Sequence, residues 1–376
     1  MTCRVVIAGG GTAGHVLPAI AIAESLIDLG LEKSDIHYTG ARRGVETEMI
    51  PPTGLKATFF DVVGLQRRPS LRNIRMNAVF FSRLWRARRH ALELFSRETP
   101  RVVVSVGGYA SLPSVLAARK IGIPVVVVSY DRIPGRASRM TSKFAEVTAV
   151  AFPDSKLPRA VMTGAPVRRA VRQIDRPTDR EAARVRLGIS SDCFFVGVIG
   201  GSLGSLLLNN AVADYVREFQ NDENLAVRHV VGPRFMKDYR SPLSTDPETP
   251  AAIKYQVVAY EENMADVYAA VDLLIGRGGA GTIADVATSG TPAILIPWSG
   301  AADNHQLANV EYLSTRGAAV LLTEDRIGKE LSETIEALRR NAELLRHIGE
   351  RAYSIGEINR KGSIAELVVR VASKES

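Results

Sequence analysis

The sequence has little cysteine and no apolar run long enough to cross a membrane. Cys3 and Cys193 are the two cysteines in 376 residues, and thiols this few and this far apart do not indicate a disulfide framework. We expect both to be packed, reduced thiols in a cytosolic protein. No stretch approaches the roughly 20 apolar residues of a transmembrane helix. Residues 4–8 run directly into a glycine-rich turn, which predicts a first strand and argues against a signal peptide.

Metal-binding patterns are also missing from the sequence. It contains no Asp-x-Asp motif and no group of cysteines and histidines with the spacing of metal ligands. We therefore expect no metal and no other cofactor. With 46% hydrophobic and 23% charged residues, the chain can bury full cores and is not disordered. Its length suggests two domains.

Acidic residues are scarce in the first part of the chain. Residues 1–166 hold 23 Lys and Arg against 12 Asp and Glu, a net charge of +11, while residues 167–376 hold 25 against 28, a net charge of −3. The whole excess of +8 therefore comes from one part. Such asymmetry indicates a partner surface on that part of the protein.

Most of this charge lies in one segment. Residues 64–90 contain eight arginines and no acidic residue, with Phe80, Phe81 and Trp85 among them. A helix this basic and aromatic is typical of an element that lies on an anionic membrane, where each basic residue near the headgroups adds about 1 kcal/mol. The alternative is a half-buried helix with a solvated basic face. We expect no nucleic acid partner, because no recognition motif accompanies the charge.

A glycine-rich turn follows the first strand. Gly9, Gly11 and Gly14 fit G-x-G-x-x-G, the dinucleotide fingerprint. The fingerprint also needs an acidic residue at the end of the second strand, and the candidate strand at 36–40 ends without one. We therefore interpret the turn as a loop that faces an interdomain cleft, with His15 as a candidate chemical group. The alternative is a helix-start histidine without a chemical role.

Strands and helices alternate along the rest of the chain, and the pattern restarts once. A strand at 194–199 precedes a second glycine-rich turn at 200–205 and a helix. This alternation predicts parallel sheets covered on both faces. We expect an α/β protein with two doubly wound, Rossmann-like domains and a cleft between them, divided into residues 1–166 and 167–376. The last helix, at 358–373, is a candidate to pack back on the first domain.

Residues 275–309 hold the strongest ligand-binding pattern. Glycines follow a buried strand that ends at Ile275, and Thr282 is predicted to open a helix with Asp285 in or near its first turn. A helix N-terminus suits a phosphate. A polar loop at 303–306 follows the next strand, so two strand ends aim polar groups at one crevice. We expect a phosphate-sugar site here. An ordinary βα connection is the alternative.

As a set, these motifs resemble those of the MurG family, which are cell-wall N-acetylglucosaminyltransferases of the GT-B fold. They occur in family order: GGGTAGH at 9–15, GGYAS at 107–111, TGAPVR at 163–168, GGSLGS at 200–205 and the stretch at 276–309. The resemblance implies transfer of N-acetylglucosamine from UDP-N-acetylglucosamine to the 4-hydroxyl of the muramyl sugar on an undecaprenyl-pyrophosphate carrier. The product would be lipid II. The protein would be peripheral, at the cytoplasmic face of the bacterial cell membrane.

The resemblance also implies roles for individual residues. Thr12, Ala13 and Gly14 would line the reacting end of the cleft. Arg168 and Ser202 would contact the phosphates and sugar of the donor. The remaining matches would surround the nucleotide sugar in the second domain: the main chain near Glu261 at uracil, Gly281 and Thr282 at a helix start, Asp285 (for a family Glu) at the ribose hydroxyls, and His305 and Gln306 at the sugar hydroxyls.

Two segments depart from the family pattern. The family's His-Glu-Gln-Asn run falls on Val128, Ser129, Tyr130 and Asp131, and all four residues differ; the glutamine of GGSQG is Leu203. In the family the first of these segments serves the acceptor side and the donor sugar. The donor side is therefore the better supported. A paralogue that glycosylates another acceptor and a UDP-sugar-binding protein without catalysis remain as alternatives.

Inverting transfer requires a base, a stabilised leaving group and the exclusion of water. His15 is the candidate base, because an unperturbed imidazole titrates near pH 6.5, and Asp131 is the other. Departure of UDP could be assisted by Arg168, by Ser202 and by helix N-termini after the glycine-rich turns of the second domain. A nicotinamide oxidoreductase would also explain the first turn, but the missing acid and the second glycine-rich unit argue against it.

Overall fold

The computed structural model describes residues 4–64, 71–243 and 250–374, and for helical residues 71–79 it describes the backbone alone. The described chain forms two compact units. One runs to Arg169 and includes the chain from Lys361 onward, and the other is Ala170–Arg360. The final segment thus belongs to the first unit, and the division falls three residues after the predicted boundary.

The strands, in chain order, are β1 (Val5–Ala8), β2 (Ile36–Ala41), β3 (Lys56–Phe60), β4 (Val102–Ser105), β5 (Val125–Ser129), β6 (Val147–Val150), β7 (Ala160–Met162), β8 (Phe194–Ile199), β9 (Leu225–Val230), β10 (Lys254–Val258), β11 (Leu273–Arg277), β12 (Ala293–Ile296) and β13 (Val320–Leu321).

The α-helices are α1 (Ala13–Asp28), α2 (Glu46–Met49), α3 (Leu71–Glu98), α4 (Leu112–Ile121), α5 (Arg136–Thr141), α6 (Arg169–Arg172), α7 (Arg176–Leu187), α8 (Leu206–Glu218), α9 (Pro233–Met236), α10 (Met264–Ala270), α11 (Ala280–Ser289), α12 (His305–Ser314), α13 (Ile327–Arg339), α14 (Ala342–Ile355), α15 (Glu357–Arg360) and α16 (Ser363–Ala372).

The first unit contains one parallel sheet with the strand order β3-β2-β1-β4-β5-β6-β7. The chain adds strands outward from β1 on one side and then returns to add β4 on the other. The sheet therefore has a topological switch point between β1 and β4, where parallel sheets bind ligands beyond the carboxyl ends of the strands. The final helix, α16, contacts α1 and β4 of this unit.

The second unit repeats this arrangement with the order β10-β9-β8-β11-β12-β13, again with every neighbouring pair parallel. Its switch point lies between β8 and β11. The prediction of two doubly wound parallel sheets is confirmed. Strands such as Val125–Ser129 and Ala293–Ile296 are buried along their whole length, because helices cover both faces of a parallel sheet and leave no strand face for polar side chains.

Three predictions from the sequence concern residues that the structure describes only in part. Cys193 is buried, and its thiol donates to Ser190 O at 3.2 Å; Cys3 lies outside the described residues. The basic segment at 64–90 forms part of α3, but residues 65–70 of it lie outside the described residues as well. None of the helices in the described ranges is both long and apolar enough to span a membrane.

Candidate functional site

Glycine-rich turns lie at the switch point of each sheet. In the first unit these are the turns after β1 and β4, and in the second unit they are the turns after β8 and β11. Each unit therefore has one candidate site at the carboxyl edge of its own sheet.

The turn between β1 and α1 is shaped around a buried carboxylate. Gly10 and Gly11 have φ angles of 138° and 92°, which favour glycine. The N–H of Gly11 donates to both carboxylate oxygens of Glu46, at 3.1 and 2.9 Å, and the N–H of Ala41 donates to Oε1 at 2.7 Å. Sequence reasoning missed Glu46. No local signal marks it, because the Gly11 N–H that it accepts lies 35 residues away in the chain.

The candidate residues of this turn open α1. Thr12 precedes the helix, but its side chain does not cap it. Instead, Thr12 Oγ1 lies 3.2 Å from Nδ1 of His15. Thr12 and Gly14 are exposed, whereas Ala13 and His15 are half-buried. The first helical turn therefore presents a hydroxyl, main-chain N–H groups and an imidazole together.

The His15 ring also faces the turn after β4. A Cβ atom at Gly107 would lie 3.4 Å from Nε2 of His15, and one at Gly108 would lie 3.4 Å from Nδ1. Burial lowers the pKa of His15, and the carboxylates of Asp131 and Glu46 act in the opposite direction. An imidazole with a lowered pKa is neutral at neutral pH and can accept a proton.

Tyr130, one of the residues that stand in place of the family's His-Glu-Gln-Asn run, bonds to α1. Tyr130 donates from its hydroxyl to the carbonyl oxygen of Gly14 at 2.5 Å. Burial raises the pKa of Tyr130 well above its usual range, so the phenol stays neutral and keeps this proton. Asp131 follows, half-buried, and its charge acts on His15. The structure thus brings both candidate bases, His15 and Asp131, to one region.

Arg168 is held by an acid on α1. Its Nε and Nη2 each lie 2.8 Å from Oε1 of Glu24, and the N–H of Arg169 donates to Oε2 at 2.7 Å. Arg168 therefore belongs to the first unit by both contacts and chain position. Its side chain is 41% exposed, and Glu24 engages two of the five donors of the guanidinium.

In the second unit, the turn after β8 leads into α8. Ser202 and Leu203 are exposed, whereas Gly204 is packed so closely that a Cβ atom there would lie 2.2 Å from Val231 O. The hydroxyl of Ser205 then accepts a main-chain N–H of the first turn of α8 at 3.4 Å. The turn therefore holds Ser202 beside the start of a 13-residue helix.

The start of α11 differs from the prediction. The helix begins at Ala280, not at Thr282, because Gly279 has extended φ and ψ angles of −66° and 145° and ends the turn earlier. Asp285 therefore lies in the second helical turn, near the first turn but not in it. Gly281 is exposed and Thr282 is half-buried.

Asp285 faces α10 from this position. The hydroxyl of Tyr268 donates to Oδ2 of Asp285 at 3.3 Å. Burial raises the pKa of Tyr268 well above its usual range, and the charge of Asp285 adds to this effect. The phenol is therefore a fixed donor that orients the carboxylate, and Asp285 itself remains half-buried.

The loop after β12 contains two residues in the left-handed region, Asp303 and Asn304, with φ angles of 54° and 52°. Aspartate and asparagine tolerate this region better than other residues with a side chain. His305 then begins α12, and Oε1 of Gln306 accepts the N–H of Trp298 at 2.9 Å. This bond fixes Gln306 beside an exposed tryptophan.

Glu261 follows β10 and is almost fully buried. Nε of Arg228 donates to its Oε2 at 2.6 Å, and the N–H of Asn263 donates to its Oε1 at 3.1 Å. The side chain therefore holds the local main chain in place. That agrees with a role for the main chain, and not for the carboxylate, at this position.

Sequence reasoning also missed Arg277, the last residue of β11, which is 8% exposed. Its guanidinium donates to Ser205 Oγ at 2.5 Å and to Ile296 O at 3.3 Å, and it pairs with Glu324 at 2.7 Å. Burial acts to raise the pKa of Glu324, but bonds from Ser299 and Arg277 outweigh it and leave that pKa lowered. This network ties together the turn after β8 and the loop after β12.

We searched residues 4–64, 71–243 and 250–374 for side chains that could bind a metal ion together. No group of three or more His, Cys, Asp or Glu side chains in these ranges is arranged to hold a metal ion.

Comparison with known proteins gives family matches to most of the chain. The models described as the glycosyltransferase family 28 N-terminal domain and C-terminal domain match residues 5–150 and 195–361. A protein of Desulforudis audaxviator named UDP-N-acetylglucosamine--N-acetylmuramyl-(pentapeptide) pyrophosphoryl-undecaprenol N-acetylglucosamine transferase is 36% identical, with 99% of each chain covered. The protein of that name from Desulforamulus reducens is 31% identical, covering 99% of this chain and 100% of the relative.

Solved structures share the fold. A crystal structure of MurG from Acinetobacter baumannii has a TM-score of 0.74 at 24% identity and covers 98% of this chain and 100% of that one. UDP-GlcNAc 2-epimerase from Neisseria meningitidis, bound to UDP-GlcNAc, has a TM-score of 0.65 at 14% identity with full coverage of both chains. At these identities the likeness concerns the two-domain GT-B architecture.

Proposed function

We propose that this chain, which belongs to the MurG family of family 28 glycosyltransferases, transfers N-acetylglucosamine from UDP-N-acetylglucosamine to undecaprenyl-pyrophosphoryl-N-acetylmuramoyl-pentapeptide. The attacking group is the 4-hydroxyl of the muramyl sugar, and the product is lipid II of peptidoglycan synthesis. One observation carries the proposal: relatives with this activity in their name are 31–36% identical over essentially the whole chain.

The first unit contributes the chemistry of the acceptor hydroxyl in this proposal. His15 takes the proton as the hydroxyl attacks the anomeric carbon of the donor, and the configuration at that carbon inverts. Asp131 is the rival base. The lowered pKa of His15 supports the assignment, because a base must be unprotonated at the working pH. Thr12, Ala13 and Gly14 line the reacting end.

The second unit holds the donor in this proposal. Asp285 accepts from the ribose hydroxyls, the main chain near Glu261 faces uracil, and His305 and Gln306 reach the sugar hydroxyls. Ser202, Gly281 and Thr282 lie at helix starts, where main-chain N–H groups stabilise the departing pyrophosphate.

Transfer assays with several acceptors test the function. Radiolabelled UDP-N-acetylglucosamine is incubated with a lipid I analogue and, in parallel, with other lipid-linked sugars. We expect label in the lipid I product, with release of an equal amount of UDP. Transfer to another lipid-linked sugar alone would identify a paralogue, as the altered residues 128–131 allow. UDP binding without transfer to any acceptor would identify a non-catalytic binding protein.

We also propose that the protein docks at the cytoplasmic face of the cell membrane through α3 and α4. Phe81 and Trp85 are 58% and 66% exposed, and the Arg88 guanidinium lies 4.8 Å from the centroid of the Trp85 ring. Between the helices is a cavity of about 500 Å³, lined by Phe81, Leu84, Trp85, Arg88, Leu116, Arg119 and Lys120. Exposed aromatic side chains beside the cations Arg88, Arg119 and Lys120 suit the boundary between anionic headgroups and acyl chains.

Vesicle sedimentation tests this docking. Binding should require anionic lipid and weaken as salt rises, and Trp85→Ala with Phe81→Ala should reduce it. The matched control is Val185→Ser, which removes an apolar side chain that is 73% exposed in the second unit. Equal binding of the wild-type protein to neutral vesicles at every salt concentration would contradict the electrostatic part of the proposal.

A further inference from the structure

Glu46 is a fully buried carboxylate in the first glycine-rich turn. It occupies a socket made by glycines from two loops. A Cβ atom at Gly10 would lie 2.1 Å from its Oε1, one at Gly44 would lie 1.9 Å from its Oε2, and one at Gly40 would lie 3.0 Å from its Cγ. A side chain at Gly10 or Gly44 would displace the carboxylate, and one at Gly40 would crowd the Tyr38 ring and Cγ of Glu46. The glycines at 10, 40 and 44 are therefore spaced to enclose Glu46.

The socket supplies donors from the main chain. Within the described part of the chain, the carboxylate accepts from the N–H groups of Gly11 and Ala41, and no lysine or arginine pairs with it. A glycine-rich turn at the start of a helix ordinarily offers such N–H groups to the phosphate of a ligand. Here both carboxylate oxygens of Glu46, an anion of the protein itself, accept the Gly11 N–H instead.

The charge of this anion acts on the candidate base. Among the described residues, the charged groups that influence His15 are Asp131, at the end of β5, and Glu46, on α2. The titratable phenols of the region are Tyr38, Tyr109 and Tyr130, and burial raises the pKa of each, so they stay neutral. Tyr38 also donates to Gly9 O at 2.8 Å and so holds the start of the turn.

We propose that Glu46 is a positioning residue for His15: its carboxylate accepts main-chain N–H groups of the first glycine-rich turn, fixes that turn, and adds its charge to those that act on the imidazole. The inference rests on the proposed function in giving His15 a chemical role. Two consequences follow from the geometry. The turn is closed to the pyrophosphate of a dinucleotide, and the imidazole receives its proton from the acceptor in a field that stabilises the resulting cation.

Two substitutions separate the effect of the Glu46 charge from the effect of its side-chain length. Glu46→Gln keeps the length, and its Oε1 can still accept both N–H groups, but the charge is lost. Glu46→Asp keeps the charge but is one methylene too short for the socket. The matched control is Glu48→Gln, which removes an exposed carboxylate from the same helix.

Two readouts are measured on the full-length protein. NMR titration of the histidine ring protons, with His15 assigned from the His15→Asn variant, gives the His15 pKa without any turnover. The pH dependence of kcat/KM gives the acid limb of catalysis. We expect Glu46→Gln to lower the His15 pKa by about one pH unit, to move the acid limb to lower pH by the same amount, and to reduce kcat more than it changes KM for the donor.

The remaining outcomes decide the proposal. Glu46→Asp should lower the melting temperature and kcat while leaving the His15 pKa near its wild-type value, and Glu48→Gln should change neither. An unchanged His15 titration in a folded Glu46→Gln protein would overturn the proposal. Because this titration needs no acceptor, it stands even if no transfer is found, and a shifted pKa with an unshifted acid limb would instead remove His15 from the role of base.

Discussion

His15 combines the features that a general base requires at the scale of one residue. It lies in the first turn of α1, burial lowers its pKa, and Thr12 Oγ1 is 3.2 Å from its Nδ1. We expect His15→Ala to lower kcat by a factor of about 10² or more. UDP affinity, measured by calorimetry, should barely change, because the residues proposed to hold the nucleotide lie in the second unit.

The pH profile distinguishes His15 from Asp131. Because the folded pKa of His15 is lowered, its acid limb should fall below pH 6.5, the usual value. In Asp131→Asn this limb should move further down, since the lost charge was raising the His15 pKa. A limb that disappears in Asp131→Asn but persists in His15→Ala would make Asp131 the base.

Asp285 is the second residue with a sharp prediction. Its replacement by alanine leaves the ribose hydroxyls without their proposed acceptor and costs about 1–3 kcal/mol in donor binding. Calorimetry should show a ten- to hundredfold weaker binding of UDP. Tyr268→Phe is the matched control, because it removes only the phenol that orients the carboxylate at 3.3 Å and should cost less. Unchanged UDP affinity in Asp285→Ala would remove the residue from the site.

Some single residues were predictable from the sequence and others were not. His15 and Gln306 could be named because they stand next to glycine-rich or polar strand ends. Glu46 and Arg277 could not, because their roles depend on partners far away in the chain: Gly11 for Glu46, and Ser205 and Glu324 for Arg277. A lone charged residue in a sequence gives no sign that the fold will bury it.

At the scale of the element, two glycines of the turn before α8 serve different purposes. Gly201 and Gly204 have φ angles of 85° and 78°, but a Cβ atom at Gly201 meets open space, whereas one at Gly204 would lie 2.2 Å from Val231 O. Gly201→Ala should therefore lose only the ~1–2 kcal/mol of the left-handed conformation. Gly204→Ala should lose clearly more in urea unfolding, and UDP affinity should fall with it. Equal losses would contradict the close packing of this turn.

Strand and helix positions followed well from the sequence, and element ends followed less well. Buried strands such as β5 and β12 read as unbroken apolar runs between glycines, which is a strong local signal. The start of α11 lies two residues before the predicted one, because its N-cap, Gly279, has no side chain that would mark it. The backbone angles of Gly279 decide that start, and a sequence does not display them.

At the scale of the whole molecule, the residues proposed to hold the nucleotide lie within one unit, so UDP should stabilise that unit more than the other. At 100 times its dissociation constant, UDP should add about 2.7 kcal/mol to the stability of the unit that binds it. Native-state hydrogen exchange should show slower exchange within Ala170–Arg360 and little change elsewhere. NADH, used as a control ligand, should protect neither unit. Protection by UDP confined to the first unit would contradict the assignment of the donor site.

The doubly wound architecture was predictable because a strand and a glycine-rich turn recur at residues 5–11 and 194–204, and recurrence is visible in a sequence. The sequence alone made the last helix only a candidate to pack on the first domain. The sequence of an amphipathic helix shows that the helix has an apolar face, but it does not show which sheet that face will cover. Here α16 covers β4 and α1 of the first unit.

That late return of the chain has a consequence for biosynthesis. Most of the first unit is translated before the second, yet α16, which carries buried residues such as Leu367 and Val368, is translated only after the second unit. At 5–20 residues per second, roughly ten to forty seconds pass while Ala170–Arg360 is made. During this interval the apolar surface of α1 and β4 that α16 will contact is exposed to solvent. The nascent chain is thus a natural client for a chaperone, and a stop codon just before residue 361 would leave the first unit, not the second, prone to aggregation.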